Sequence, residues 1–278
     1  MTTFPEWGLE PGIVIPVFVL GALYWRGLAR VRLAAPRAVP GRGVASFVAG
    51  YVVLIVALVS PLHGMSEELF SAHMLQHELL MALAAPLLVL GRPGPVLLWA
   101  FDRPSRLRVA SVIRASAVRK SWHWATRPFD AWLIHAIAIW AWHIPLLFQS
   151  TLHSEAAHAL QHASFLGSAL LFWWSIMHGL RRAERGMAIV YLFTTAVHTA
   201  VLGALMTFAH SPWYPEYVSG AASWGLTPMA DQQLAGLIMW VPASAAYLVA
   251  ALAVMRAWLR DSEWAVSEAE RVSPSLSS

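Results

Sequence analysis

The six-residue pattern Ala-His-x-Leu-Gln-His occurs twice in this chain, at positions 72–77 and again at 157–162. Residues four apart share one face of an α-helix, so each copy can present two imidazoles side by side: His73 with His77, and His158 with His162. At that spacing two histidines can hold one metal ion. With no cysteine in the chain, thiolate sites, iron-sulfur clusters and disulfides are excluded. Imidazole suits zinc, copper, nickel and iron, and the thioether of methionine favours Cu(I). Met74 lies inside the first copy and Met81 one turn beyond it, which tilts the donor set toward copper without deciding it.

The elements that position these groups are membrane helices. Hydrophobic residues make up 58% of the 278, charged residues only 12%, more apolar surface than a soluble domain can hide. Seven runs approach the ~20 residues needed to cross the hydrocarbon layer. They lie near 12–29, 44–60, 70–90, 129–148, 156–178, 187–209 and 234–259. All 19 Lys and Arg lie at the ends of the first, third, fifth and last runs or in the segments that follow them. By the positive-inside rule this predicts an all-α polytopic membrane protein with seven crossings, N-terminus outside and C-terminus cytoplasmic. The excess of positive charge then faces membrane lipid, not nucleic acid. Glu6 and Glu10, in place of a basic segment before the first run, argue against a cleaved signal peptide. The chain reads as one membrane domain over residues 1–278. Its segment 92–127 forms a basic cytoplasmic connection, with an interfacial amphipathic helix expected from Arg106 to Lys120.

Topology converts the repeat into geometry. The third, fifth and seventh runs enter from the outside, so His73, His77, His158 and His162 share one depth just below the outer surface. The fourth run, travelling outward, brings His143 to that level, and the seventh enters with Asp231 and Gln232. These five histidines are the expected metal ligands, with Met74, Gln76, Gln161, Asp231 and Gln232 as auxiliary ligands or supporting groups. Asp231 and Glu78 are the nearest negative charges. His135, His178 and His198, each without a partner one turn away, are expected to hydrogen-bond between helices. His63, His123 and His153 read as loop residues, and His210 ends the sixth run.

Several chemistries drop out. His77-Glu78 begins a zinc-protease helix but lacks its second histidine; the single lysine, Lys120, falls in a loop where no retinal Schiff base could form; no Walker-type phosphate loop occurs. Haem ligation stays open, although histidines at i and i+4 on one helix cannot take opposite faces of one porphyrin.

The stretches Ser60-Pro61-Leu62-His63, 69–77, 85–93, Trp142-His143-Ile144-Pro145, 158–165, Phe172-Trp173-Trp174 and 231–240 together resemble the bacterial CtaG-type cytochrome c oxidase assembly factors. The likeness covers most of the chain from the second run to the seventh, and it includes His73, Met74, Gln76, His77, His143, His158, His162, Asp231 and Gln232. It implies a multi-pass protein of the bacterial plasma membrane that is not an enzyme. Such a protein would supply copper to the cytochrome c oxidase subunit housing a copper centre, with zinc or haem ranked behind copper. The competing readings are a copper or other metal transporter, which needs a polar path continuing inward, and a haem-binding protein, which needs a chromophore.

Overall fold

The computed structural model describes Trp7, residues 10–180 and residues 184–272, with side chains as far as Asp261. The fold is all-helical, with no strand among the described residues. In chain order the helices are α1 (Pro11–Ala34), α2 (Gly41–Leu58), α3 (Pro61–Glu68), α4 (Phe70–Leu90), α5 (Pro93–Trp99), α6 (Arg103–Arg114) and α7 (Ser116–Ala125). There follow α8 (Pro128–Trp142), α9 (Pro145–His153), α10 (Glu155–Trp174), α11 (Arg185–Thr207), α12 (Val218–Ser223) and α13 (Pro228–Asp261, continuing as helix to Val272).

Among the described residues, α1, α2, α4, α11 and α13 are each long and apolar enough to cross a membrane. Helices α8 and α9 qualify only as a pair, and they meet at a 73° bend. The expected continuous span over 129–148 is therefore corrected to a broken one. Proline disfavours the α conformation in the residue before it, and Ile144, preceding Pro145, is extended at φ −65°, ψ 124°. Helix α10 has the required length, but Glu155, His158, Gln161 and His162 in its first turns dilute its apolarity.

Helix α4 is the axis of the bundle. Two thirds of its apolar window (67%) is buried against other helices, whereas the other four candidate spans bury 22–39% and leave the rest for surrounding hydrocarbon. Their outward residues, such as Phe18, Val52, Phe193 and Leu252, are apolar and exposed. Helix α4 widens into a π-turn at Leu79–Ala84, just before Pro86. In that turn the Ala85 amide bonds the Leu80 carbonyl. The next donor in the series would be Pro86, which has no N–H, so the Met81 carbonyl is released. Trp173 of α10 donates its indole N–H to that carbonyl at 2.9 Å, joining the two motif-bearing helices. A second proline, Pro242, sits inside the π-turn Met239–Ala243 of α13.

Helices α11 and α13 touch through backbone. A Cβ on Gly236 would fall 2.3 Å from Thr207 Oγ1 and 2.5 Å from the Gly203 carbonyl oxygen. This contact fixes where α13, and hence Asp231, stands.

The single interfacial helix expected over Arg106–Lys120 is two helices, α6 and α7. Between them Ala115 is extended (φ −56°, ψ 138°), and neither helix buries a residue. Their apolar side chains, including Leu107, Val112 and Trp122, are exposed beside the basic ones, the pattern of helices lying on a lipid surface.

Replacing Gly236 with Leu is expected to destabilise the protein by about 1–3 kcal/mol through overpacking. An unfolding titration in mixed detergent micelles checks this, with an unchanged midpoint as the contrary result.

Candidate metal centre

The two copies of the repeat occupy identical helical registers. Leu69 caps α4 and Ser154 caps α10, so His73 and His158 each stand four residues past the cap, their amides bonded to the cap carbonyls at 3.1 and 3.0 Å. His77 and His162 follow one turn later. The caps differ in kind. The Ser154 hydroxyl accepts from the Ala157 amide, the ordinary arrangement for a serine N-cap. Leu69 has no such group, and α4 borrows one from α13. Asp231 accepts from the Phe70 amide at 2.7 Å, from the Ser71 amide at 3.1 Å and from the Ser71 hydroxyl. The carboxylate also sits where the α4 dipole favours negative charge.

Five imidazoles gather at this end of the bundle. Ring centroids are 4.3 Å apart for His73–His77 and for His158–His162, 5.5 Å for His73–His158, and 5.3 Å for His77–His162. One ring nitrogen from each of His73, His158 and His162 lies within 4.8 Å of the other two, close enough to share one ion. His77 adjoins this trio. Both nitrogens of His77 and of His162, and Nε2 of His158, are buried without a hydrogen-bond partner among the described residues. Burying an unpaired polar group costs about 1–3 kcal/mol, so these nitrogens are poised for a ligand that accepts their lone pairs.

The fifth ring is that of His63. His63 is only 2% exposed, its ring stacked on that of His158 at 5.7 Å and set edge-on to His162 at 6.4 Å. Reading it as a loop residue missed it. The signal was Ser60-Pro61, an N-cap followed by proline at the first helical position, which starts α3 and puts His63 on a helix. His143 instead closes α8, its Nδ1–H donating to the Ile139 carbonyl at 2.6 Å and its Nε2 lying 3.4 Å from Met74 Sδ. Helix α8 ends at Trp142, and His143 stands at its close beside Met74 and Phe165, the latter also packed on the His77 ring.

The expected supporting groups have distinct tasks. The Gln76 amide donates to the Ala57 carbonyl (2.7 Å) and to His63 Nδ1 (3.0 Å), leaving the His63 proton on Nε2. Gln161 Oε1 stands 3.3 Å from His73 Nε2. Asp231, fully engaged in capping, is not placed as a ligand. Gln232 accepts from the Trp213 amide (2.6 Å) and donates to the Met206 carbonyl (3.1 Å), bracing the connection after α11. That connection adds two residues the sequence did not point to. The Tyr217 hydroxyl lies 3.1 Å from the Ser66 carbonyl and 3.3 Å from His73 Nδ1, and the Tyr214 hydroxyl donates to the His143 carbonyl at 2.8 Å. Burial pushes both phenols upward in pKa, so each remains a donor at neutral pH.

The remaining histidines follow the hydrogen-bonding expectation. His135 bonds Ser168 (3.0 Å) and Tyr247 (3.3 Å), His178 accepts from Arg92 Nε (2.9 Å), and His198 lies 3.4 Å from the Trp140 indole nitrogen. His210 is exposed beyond the end of α11.

The arrangement can bind a transition-metal ion through neutral imidazoles on helices whose starts are locked together. Residues 22–261 match the model of a family described as cytochrome c oxidase caa3 assembly factor. Similar proteins include an uncharacterised protein of Mycobacterium leprae, 27% identical over 267 residues, covering 92% of this chain and 40% of that one. Another, from Mycobacterium bovis, is 26% identical over 281 residues, covering 95% and 41%. This chain thus spans about two fifths of the length of these relatives. No solved structure matches.

Asp231→Ala is expected to cost more than about 2 kcal/mol, the upper end for an ordinary N-cap, because buried donors lose their acceptor. Asp231→Asn, which keeps one acceptor oxygen, is expected to cost less. Denaturant midpoints of the two variants, measured side by side, test the order.

Proposed function

Since this chain belongs to the cytochrome c oxidase caa3 assembly factor family, we propose that it serves oxidase assembly by holding a copper ion at the histidine cluster and passing it to the oxidase subunit that houses a copper centre. The observation that carries this reading is the trio of His73, His158 and His162, with ring nitrogens within 4.8 Å of one another and, on His158 and His162, buried nitrogens that have no hydrogen-bond partner among the described residues. His77, one turn along, is the fourth donor. Met74 and His143 form an adjoining sulfur–nitrogen pair, and Phe165 lies against both the His77 and the His143 rings. Thioether beside imidazole is the donor combination that selects Cu(I) over harder ions.

In this reading the protein sits in the bacterial plasma membrane with seven crossings, N-terminus outside and C-terminus in the cytoplasm. Helix α10 is the fifth crossing, its polar residues Gln161 and His162 turned into the bundle; the bent pair α8–α9 is the fourth. The 21-residue α4 starts at the histidine cluster and ends beside Arg92, so ~30 Å separates the cluster from the arginine-rich end. That separation suits copper taken from the outer side. The protein acts by binding and release and makes no covalent change. A continuing inward path, as a transporter needs, finds no support at His135, whose two nitrogens are both engaged.

Purified protein is expected to contain or take up copper and to show no haem absorbance. His158→Ala combined with His162→Ala should weaken copper binding by at least about 100-fold. Gln161→Leu, which removes only the partner of His73, should weaken it by about 10–100-fold, the usual effect of losing a group that orients a ligand. Copper titration against a competing chelator measures both, and wild-type affinity in the double variant would end the assignment. In cells the double variant should lower oxidase activity.

A further inference from the structure

An apolar groove of about 430 Å³ opens toward the arginine-rich end of the bundle, far from the histidine cluster. The end of α4 (Leu88) is its floor, α1 and α5 (Leu20, Leu97) form one wall, and Gly167 and Trp174 of α10 with Trp122 of α7 form the other. Leu, Val, Phe, Pro, Gly and Trp are its only lining residues. Two features set it apart from the apolar surface that any membrane helix shows. The first is Gly167. A Cβ on Gly27 or Gly203 would fall 2.0 or 2.6 Å from the carbonyl oxygen of a neighbouring helix, whereas nothing lies within 4 Å of one on Gly167. Glycine weakens a helix interior, and here close packing does not call for it; what the missing side chain leaves is room in the groove. The second is Arg92, which has φ 46° and is the one non-glycine residue with positive φ among the described residues. That left-handed conformation is costly for any residue with a Cβ. The exposed Arg92 side chain donates from Nε to His178 Nε2 at 2.9 Å, and the His178 ring stacks on that of Trp174 at 4.5 Å. The guanidinium is thus held one ring away from the groove wall. A strained arginine where glycine would be relaxed points to a use for its charge.

We propose that this groove seats an acyl chain of one anionic phospholipid, whose phosphate pairs with Arg92. The volume lies in the range of ligand-holding pockets, ~300–1,000 Å³, and a lining without charged groups suits hydrocarbon. Charge selects the headgroup. Residues 92–127 carry eight Lys and Arg against a single acid, Asp102, and basic pockets at the ends of membrane helices take anionic lipid headgroups. With Nε of Arg92 committed to His178, the two outer nitrogens of its fork are left for phosphate oxygens. Trp122 and Trp174 meet edge to face at 5.6 Å beside this charged end, as amphipathic rings do at the boundary between hydrocarbon and headgroups. The site does not depend on metal binding: Trp174 stands ~18 Å along α10 from His162.

Two variants separate the tail from the headgroup. Gly167→Leu fills the groove from a position where a Cβ meets nothing, and Arg92→Gly relaxes the left-handed backbone, so both should fold as the wild type does. The purified full chain is equilibrated in detergent with equal amounts of dioleoyl phosphatidylglycerol and dioleoyl phosphatidylcholine, then read by native mass spectrometry. The wild type should retain one lipid, favouring phosphatidylglycerol by about fivefold or more. Gly167→Leu should retain either lipid about tenfold less, or worse. Arg92→Gly should keep a lipid but lose the preference. Melting midpoints give a second reading: phosphatidylglycerol should raise that of the wild type and leave that of Gly167→Leu unmoved. Undiminished retention by Gly167→Leu, or equal retention of the two lipids by the wild type, would overturn the site. So would a lipid-free wild-type dimer that Gly167→Leu splits, which would give the groove to a second copy of the chain.

Discussion

The arrangement of the histidines depends on one carboxylate. Helix α4 carries two of the five, yet its cap is Leu69, a residue with nothing to offer the free amides of a first turn. Asp231, 161 residues away from Phe70 in the chain, supplies the missing acceptor and binds both the Phe70 and Ser71 amides. In an apolar surrounding those amides have no water to turn to, so the start of α4 can be stable only where α13 delivers Asp231. The bond between the two helices is therefore a placement device: it sets the depth at which His73 and His77 enter the bundle. The close approach of α13 to α11 through Gly203 and Gly236 sets where Asp231 itself can stand.

A second constraint acts lower in the same helix. Pro86 removes the donor that the π-turn would have paired with the Met81 carbonyl, and Trp173 takes that carbonyl up. Helices α4 and α10 are thus tied about one turn past His77 on α4 and about three turns past His162 on α10, as α4 and α13 are tied above them. Between these two ties the paired imidazoles face one another at centroid distances of 4.3–6.1 Å. Proline and aspartate, each poorly suited to a membrane helix in isolation, are used here at the points where neighbouring helices can satisfy the groups they free or engage.

The histidines also sort by whether their nitrogens are satisfied. His135 has a partner on each nitrogen, and His143 gives one to a carbonyl and sets the other against a methionine sulfur. His77 and His162 have no hydrogen-bond partner on either nitrogen among the described residues. The same residue type thus serves as structural crosslink in one place and as a ring with unpaired nitrogens a few turns away. What separates the two is only whether another polar group reaches the ring. Helical spacing could pair His73 with His77 and His158 with His162, but it could not tell satisfied rings from unsatisfied ones.

Much of this was legible from the chain alone. Apolar runs and the grouping of 19 basic residues announced a helical membrane protein. The doubled motif put four histidines in matching positions, because spacing along a helix is a local property. The Ser60-Pro61 signal for α3 was also present, though its consequence, that His63 belongs with the four, needed α3 folded against α10. The break at Ile144-Pro145 was written in the sequence too, but whether a proline bends a helix or ends it depends on what packs around the freed groups, and here α8 stops and sets His143 against Met74. Asp231 read as an auxiliary ligand or supporting group because it is a charge at the right depth; only the tertiary fold revealed an uncapped helix end for it to serve. The sequence determined which residues are helical, apolar and capable of binding metal. Which nitrogens converge, and which charges are already committed, was decided by contacts between helices far apart in the chain, and no local pattern encodes those.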